Sequence, residues 1–507
     1  MVSGSRITRF CVFAAAVLTL GAVPSCEQSV QVPRATPTTT IPATTRTTPR
    51  PPVVASGDFA PVSRLVDDAI AAHRLPGAVV LIGHDGNIVF RRAFGSRKLA
   101  GEPGLDGRPA PAEPMTEDTI FDLASLTKSL ATATGILQLY EQGEVAVDDP
   151  VQTYLPEFNP TDDPRRAQVT LRMLLTHTSG LGGDLSLQPP PWGLDPADKD
   201  EGVRRALATP LAFEPGAVFH YSDINFIILG ALLEKITGET EDVYVQHNVF
   251  GPLGMTDTRY LPPAKACGPH LVRGTAIVLD PEASREDQCP PGTWSTDLLA
   301  RIAPTAHDGD SFDDPGRNPD FDQLIRGTVH DPTARRMGGV AGSAGVFSTA
   351  GDVSLFAQAL LDRLAGRPSK FPLTQTTLEL MTTPQQPGHY AGQVEAANNA
   401  SQKAIASAPN TADPLLAPNY PAIRGQNLRG FGWDIDTGQS KPRGLIFPVG
   451  SFGHTGFTGT TLWMDPGSDT YVVVLANVIH QRGGPPIAEL SGEIATMTAR
   501  ALKLYGS

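Results

Sequence analysis

The chain has 507 residues, 40% of them hydrophobic and 18% charged, which is enough apolar material for a packed domain and excludes disorder along the whole length. Forty basic against 53 acidic side chains leave a formal charge of −13, and no basic block stands out, so nucleic acid is not expected as a partner. Four cysteines are too few for a disulfide-framework miniprotein or an iron–sulfur enzyme, while 50 glycines and 47 prolines forecast many turns and long loops.

Residues 1–57 read as address and tether. Arg6 and Arg9 precede an apolar run from Phe10 to Val23 (FCVFAAAVLTLGAV), the length of a signal-peptide core and too short for an ordinary membrane-spanning helix. Val23-Pro24-Ser25-Cys26 follows and resembles a bacterial lipobox, in which the cysteine is lipidated and becomes the new N-terminus. The expectation is a signal peptide over residues 1–26 and a lipid anchor at Cys26, which would hold the protein at the outer face of the cytoplasmic membrane. Pro24 is unusual at its place in that pattern, so plain cleavage near Ser25 and secretion is the other reading. Residues 27–57 are expected to be a linker: within 33–52, six prolines and eight threonines leave almost nothing to bury, and the run should be an extended, disordered spacer.

Residues 58–507 read as one catalytic domain. Between Asp58 and His73, Val62, Leu65, Val66, Ala69 and Ile70 fall on one helical face, and Pro76-Gly77 ends the run. Two strand-like segments, AVVLIG and NIVFRRAFG, flank His84-Asp85-Gly86, and Asp-Gly between apolar runs predicts a hairpin. An apolar helix, INFIILGALLEKITG, follows in the middle of the chain. Near the C-terminus GTTLWMD and TYVVVLANVI are separated by Pro466-Gly467-Ser468-Asp469, and a last helix is expected from about Ile487 to Leu504. Strands at both ends with helices between predict an α+β (layered α/β) fold. Its antiparallel sheet would be built from both ends of the chain, flanked by helices, with an all-helical middle region. Cys267 and Cys289 lie in a loop-rich stretch of a chain expected to be exported, where oxidising conditions favour a disulfide; two buried thiols are the alternative, and zinc is not expected.

The search for chemistry begins with exclusions. There is no Gly-x-Ser-x-Gly elbow, no His-Glu-x-x-His, no P-loop and no dinucleotide fingerprint. What remains is Ser125-Leu126-Thr127-Lys128, the single Ser-x-x-Lys of the chain. Leu126, Leu130, Ala133, Leu137 and Tyr140 recur behind it at helical spacing until Gly143, so Ser125 should stand at a helix N-terminus with Lys128 one turn on, on the same face. Unpaired N–H groups and the helix dipole suit a nucleophile there, and the amine is close enough to take the serine proton. For Lys128 to serve as that base its pKa has to fall, through burial or a nearby cation. The bland alternative is a helix cap beside a solvated lysine.

Context favours the chemical reading. His220-Tyr221-Ser222-Asp223 lies downstream, and Gly453-His454-Thr455-Gly456-Phe457 opens the penultimate strand. The order Ser-x-x-Lys, Tyr-x-(Asn/Asp), (Lys/His)-Thr-Gly resembles the serine β-lactamase and penicillin-binding protein superfamily. It resembles most the branch of class C β-lactamases, DD-peptidases and related (family VIII-type) esterases. Leu174-Leu175-Thr176-His177-Thr178-Ser179-Gly180-Leu181 and the segment from Gly338 to Ser348 are similar to the same branch, and the resemblance spans about 60–505.

The resemblance implies an exported serine hydrolase that cleaves an ester or amide through an acyl-enzyme on Ser125, with penicillin binding or weak β-lactamase or DD-peptidase activity as a further expectation. Lys128 would be the general base and Tyr221 the proton relay to the leaving group. Backbone N–H groups of Ser125 and Phe457 would form the oxyanion hole, and Asp223, His454, Thr455 and Gly456 would contribute substrate binding and electrostatics. Neither a metal nor an organic cofactor is implied. Partners would be a small-molecule ester, amide, peptide or β-lactam, and the membrane through the anchor. Two departures bear on the substrate. His454 stands where relatives commonly carry a fixed lysine charge, and Asp223 where they commonly carry an amide, so the pocket should be less welcoming to an anionic β-lactam or a D-Ala-D-Ala terminus, although both residues also occur in relatives that hydrolyse esters or act on peptides. Protonating His454 towards pH 5.5 is expected to offset this in part. His177, His330-Asp331 and Trp433 read as structural, and Asp223 also reads as a cap of the helix that follows it. The rival function is a non-hydrolytic penicillin-binding or cell-wall sensor protein that keeps the fold.

Overall fold

The computed structural model describes residues 57–507 apart from 189–191, 195, 274–275, 281–288, 310–315, 317, 319, 408–418 and 484–485, so the expected signal peptide, Cys26 and nearly all of the linker lie outside the described residues. Strands β1 (Gly77–His84) and β2 (Asn87–Lys98) form the expected hairpin. Asp85 and Gly86 take φ of 47° and 74°, the left-handed pair of a two-residue hairpin turn, which is why Asp-Gly stands there. A short β3 (Glu113–Pro114) pairs with β2. The C-terminal part supplies β4 (Leu428–Arg429), β5 (Asp434–Asp436), β6 (Phe452–Gly456), β7 (Thr460–Asp465) and β8 (Thr470–Ala476). The order across the eight-stranded sheet is β4-β5-β6-β7-β8-β1-β2-β3. The two ends of the domain meet in the middle of it, Ala78 opposite Ala476 and His84 opposite Thr470.

Both faces of the sheet are covered, so β1 and β8 are apolar on both sides. Val79, Leu81, Val473 and Leu475 join the core shared with the middle region. Val80, Ile82, Val472 and Val474 face the other way and pack with Val62 and Val66 of the Ala60–Ala71 helix and Leu490 and Ile494 of the Ala488–Ala501 helix. Each such side chain contributes about 1.5–3 kcal/mol on burial. The first helix begins where Asp58 Oδ1 accepts the Ala60 N–H at 3.0 Å and stops before His73, whose φ is 56°. Among the described residues no helix is long and apolar enough to cross a membrane.

The middle region carries the helices Thr134–Glu141, Asp223–Thr237 and Ala350–Leu364. The all-helical middle region expected from sequence is not found, because short strands are interspersed among these helices. Val346–Ser348 pairs with Phe121–Asp122 on one side and Arg259–Tyr260 on the other. Three further ribbons join Ala266–Cys267 to Trp294–Ser295, His270–Arg273 to Ala276–Leu279, and Ala306–His307 to Leu324–Ile325. These pairings are too short for a period of two to show in the sequence. A disulfide joins Cys267 to Cys289, with Cα atoms 5.6 Å apart.

Candidate active site

The chain leaves Phe121–Asp122 in a tight turn that places Ser125 just ahead of a helix, which runs through a π-helical stretch, Lys128–Ala133, into Thr134–Glu141. Ala124 adopts a φ of 46°, unfavourable for a residue with a Cβ, and the surroundings hold it there. The buried Asp122 accepts the Ala124 N–H at 2.9 Å and the His330 N–H at 2.7 Å, and burial pushes its carboxyl up to about 6. The turn between β6 and β7 closes on this one. Thr458 and Thr460 hydroxyls donate to the carbonyls of Asp122 and Leu123 at 2.7 and 3.0 Å. Gly456 lies so near that a Cβ there would come within 2.4 Å of Leu123 O, which is why the third motif ends in glycine. Residue 457 is thereby brought beside the Ser125 turn. Neither the Ser125 nor the Phe457 N–H has a protein acceptor among the described residues.

Lys128 Nζ, fully buried, lies 2.9 Å from Ser125 Oγ, 2.8 Å from Ser343 O and 2.6 Å from Asp223 Oδ1. The Tyr221 hydroxyl is within hydrogen-bonding reach of both Ser125 and Lys128, and its ring centre is 5.2 Å from Nζ. Three sequence motifs from distant parts of the chain thus converge around one amine. The electrostatics depart from the sequence expectation. Burial by itself pulls the Lys128 amine down, but the charge of Asp223, with Tyr221, outweighs burial and holds it above its ordinary value. The expected fall does not occur, because burial is legible in sequence and a carboxylate 2.6 Å away is not. Burial raises the Tyr221 phenol, with Lys128 opposing, so the hydroxyl keeps its proton at neutral pH.

Asp223 is the first residue of its helix; Ser222 occupies the cap position, and neither supplies a side-chain cap. The cap reading of Asp223 is therefore set aside: its carboxylate is turned to Lys128 instead. Two acids that sequence reasoning did not assign to the site stand beside it. Asp184, beside Asp223, is raised by burial and by the Asp223 charge. Asp331 is raised by the same two causes, and also caps the Pro332–Arg336 helix through the Ala334 N–H at 2.7 Å. Asp184 sits in a loop without a readable code, and Asp331 does look like a cap, which is half of what it does. His330 stacks on Phe457 at 5.8 Å between ring centres, leaving the Phe457 side chain 72% exposed.

His454 is 2% exposed. Its Nδ1 donates to Thr455 O at 2.8 Å, since a carbonyl only accepts, so Nε2 carries a lone pair and has no partner among the described residues. Burial, then the charges of Arg429 and Lys128, push it well below the usual histidine range. It is neutral, and the expected gain of charge by pH 5.5 does not follow. Thr455 is half-buried and Gly456 buried next to it. His177 is structural in a way that serves the site. Its Nδ1 accepts the Ser222 N–H at 3.1 Å, and its ring backs the Tyr221 ring at 4.4 Å. Trp433 is a core residue packed on Phe452. Among the described residues no group of His, Cys, Asp and Glu is suited to hold a metal.

Residues 62–489 match the model of the Beta-lactamase family. A protein of Escherichia coli K12 named "Putative D-alanyl-D-alanine carboxypeptidase" is 27% identical over 423 residues, 82% of this chain and 80% of that protein. Esterase EstB of Burkholderia gladioli is 37% identical over 221 residues, 40% of this chain and 51% of the esterase. Among solved structures, a mutant of simvastatin synthase from Aspergillus terreus has a TM-score of 0.56 at 23% identity, covering 87% of this chain and 94% of that one, which is a likeness of fold.

Proposed function

This chain belongs to the Beta-lactamase family and is a serine-hydrolase-type enzyme, and from that premise we propose that it cleaves an uncharged ester or amide through an acyl-enzyme on Ser125. The observation that carries the reading is the contact of Lys128 Nζ with Ser125 Oγ at 2.9 Å, with the Tyr221 hydroxyl beside both. In the fraction of molecules whose Lys128 is a neutral amine, Ser125 Oγ attacks the carbonyl carbon as its proton passes to the Nζ lone pair. The oxyanion is received by the Ser125 and Phe457 N–H groups, and losing one such donor costs about 3 kcal/mol of transition-state stabilisation. Tyr221 passes the proton on to the leaving group, and water then releases the acyl group.

The electrostatics favour uncharged over anionic substrates. His454 is neutral, the charge of Lys128 is matched by Asp223, and Asp184 and Asp331 add acidity at the same place. Penicillin binding is then a weaker, secondary property. A purely binding or sensing role has no use for a nucleophile, an amine and a phenol held together. The Arg6–Cys26 pattern supports export with a lipid anchor, and the Cys267–Cys289 disulfide supports an oxidising compartment. The test is a p-nitrophenyl ester assay beside fluorescent-penicillin labelling of the same sample. Rapid ester turnover with slow labelling is expected; labelling without turnover would establish the binding role instead.

A further inference from the structure

We infer that Asp223 acts on the reaction through Lys128, as the counter-ion that keeps the amine charged at neutral pH, and is a positioning residue with no part in anchoring substrate. The inference rests on Ser125 as nucleophile and goes beyond it.

The contacts of Nζ decide what the amine can do. Ser343 O, at 2.8 Å, can only accept, so one N–H points at it whatever the charge, and the Asp223 carboxylate stands 2.6 Å away as an ion partner, outside hydrogen-bond geometry. Another position faces Ser125 Oγ at 2.9 Å. As an ammonium, Lys128 fills that position with an N–H and merely donates to Oγ. As a neutral amine it presents a lone pair there, and the Ser125 O–H donates to nitrogen. One proton separates the resting arrangement from the reacting one, and Asp223 favours the resting one.

The step itself balances without Asp223 giving or taking a proton. The Ser125 O–H bond breaks and its proton joins the Nζ lone pair. The Oγ–C bond forms as the carbonyl electron pair moves to oxygen; when that pair returns, the bond from carbon to the leaving oxygen or nitrogen breaks, and the added proton reaches that atom through Tyr221. Acylation therefore scales with the fraction of neutral Lys128, and that fraction is set by what surrounds it. Asp223 and Tyr221 face Nζ directly; Asp184 and Asp331 feel the charges of both Asp223 and Lys128; Arg335 stands beside Asp331 and His220 beside Asp184. His177 and His454 also feel the Lys128 charge, and Arg429 acts on both of them. Replacing the Asp223 carboxylate with an amide removes the one group in ion-pair contact with Nζ among the described residues and leaves burial, which acts in the opposite direction, set against Tyr221 alone.

A substrate anchor and a counter-ion give opposite results on Asp223→Asn. Acylation of Ser125 by a p-nitrophenyl ester is followed as kcat/KM from pH 5 to 10.5 in the wild type, Asp223→Asn, Asp223→Ser and Asp223→Glu, with Ser125→Ala as blank. In the wild type kcat/KM should still be climbing at the top of the range, about tenfold per pH unit, as expected for a base that is mostly protonated. In Asp223→Asn and Asp223→Ser the climb should end at lower pH, with kcat/KM at pH 7 at least about tenfold above the wild type for each unit by which the limb moves. Asp223→Glu, which keeps the charge, should follow the wild type. The inference is overturned if both charge-removing variants keep the wild-type limb and differ only through a higher KM, or are slower at every pH. Turnover surviving in Ser125→Ala would instead remove the nucleophile assignment, whatever the limb does, so the two failures are told apart.

Discussion

Glu241→Gln tests the electrostatics of the core under the nucleophile helix, and its effect can be worked out from proton positions. Thr132 Oγ1 lies 2.6 Å from Glu241 Oε1 and 2.7 Å from Gly342 O. The hydroxyl has one proton, and the Gly342 carbonyl can only accept it, so the second contact is satisfied only if Glu241 is a neutral acid that donates to Thr132. Glu241 is 1% exposed, and burial is the main cause that pushes its carboxyl from 4.5 up to about 7. Glu234 acts in the same direction; Lys199 opposes it, as would a hydrogen bond donated by Thr132 to the ionised carboxylate. The unfolded chain releases this proton from about pH 4.5 and the folded chain keeps it to about 7, so the unfolded state binds fewer protons in that window and stability falls as pH rises through it. A gap of about 2.5 pH units corresponds to about 3 kcal/mol. Glutamine keeps a donor for Thr132 and cannot ionise. Urea unfolding followed by tryptophan fluorescence at pH 5, 6, 7 and 8 should therefore show Glu241→Gln gaining on the wild type by about 2.5 kcal/mol between pH 5 and pH 8. The comparison at each pH cancels the other titrating groups. A difference that does not change with pH would mean that Glu241 is ionised in the folded protein, and the proton assignment would fall.

Four further outcomes are expected. Ser125→Ala should abolish ester turnover and covalent penicillin labelling while changing unfolding free energy by at most about 1 kcal/mol, the size of a lost cap; label remaining on another serine would refute the assignment. His454→Lys combined with Asp223→Asn should raise penicillin acylation relative to uncharged-ester hydrolysis about tenfold or more, since one charge-assisted contact is worth about 1.5–3 kcal/mol. Taking the wild type to pH 5.5 should leave that ratio unmoved, because burial keeps His454 neutral there, and a rising ratio would show that the ring does titrate. Cys26→Ala should shift the protein from the membrane fraction to the soluble one, and a wild type already soluble with its N-terminus away from Cys26 would rule out the anchor.

What could be read from the amino acids alone is what depends on neighbours along the chain. Asp85-Gly86 announces a hairpin because its left-handed φ values are a local requirement, and the Ala60–Ala71 helix shows in its own periodicity. The Ser125/Lys128 spacing places two groups on one helix face for the same reason. The motif order carried the further step to family and to Tyr221, and strands at both ends announced a shared sheet. Charge state was not readable in this way. The sequence gives no sign that Asp223 lies 2.6 Å from Lys128, that Asp184 and Asp331 crowd the same carboxylate, or that His454 is walled off at 2% exposure. Whether Lys128 is an amine or an ammonium at rest, and whether His454 can meet an anion, depend on desolvation and on charges a few ångströms away through space. Those charges come from a loop after Leu181, a helix start at 223, a cap at 331 and an edge strand at 429, which only the packed tertiary structure brings together. The short ribbons of the middle region escaped notice for a related reason: strands of two to four residues are held by their partners and carry no pattern of their own.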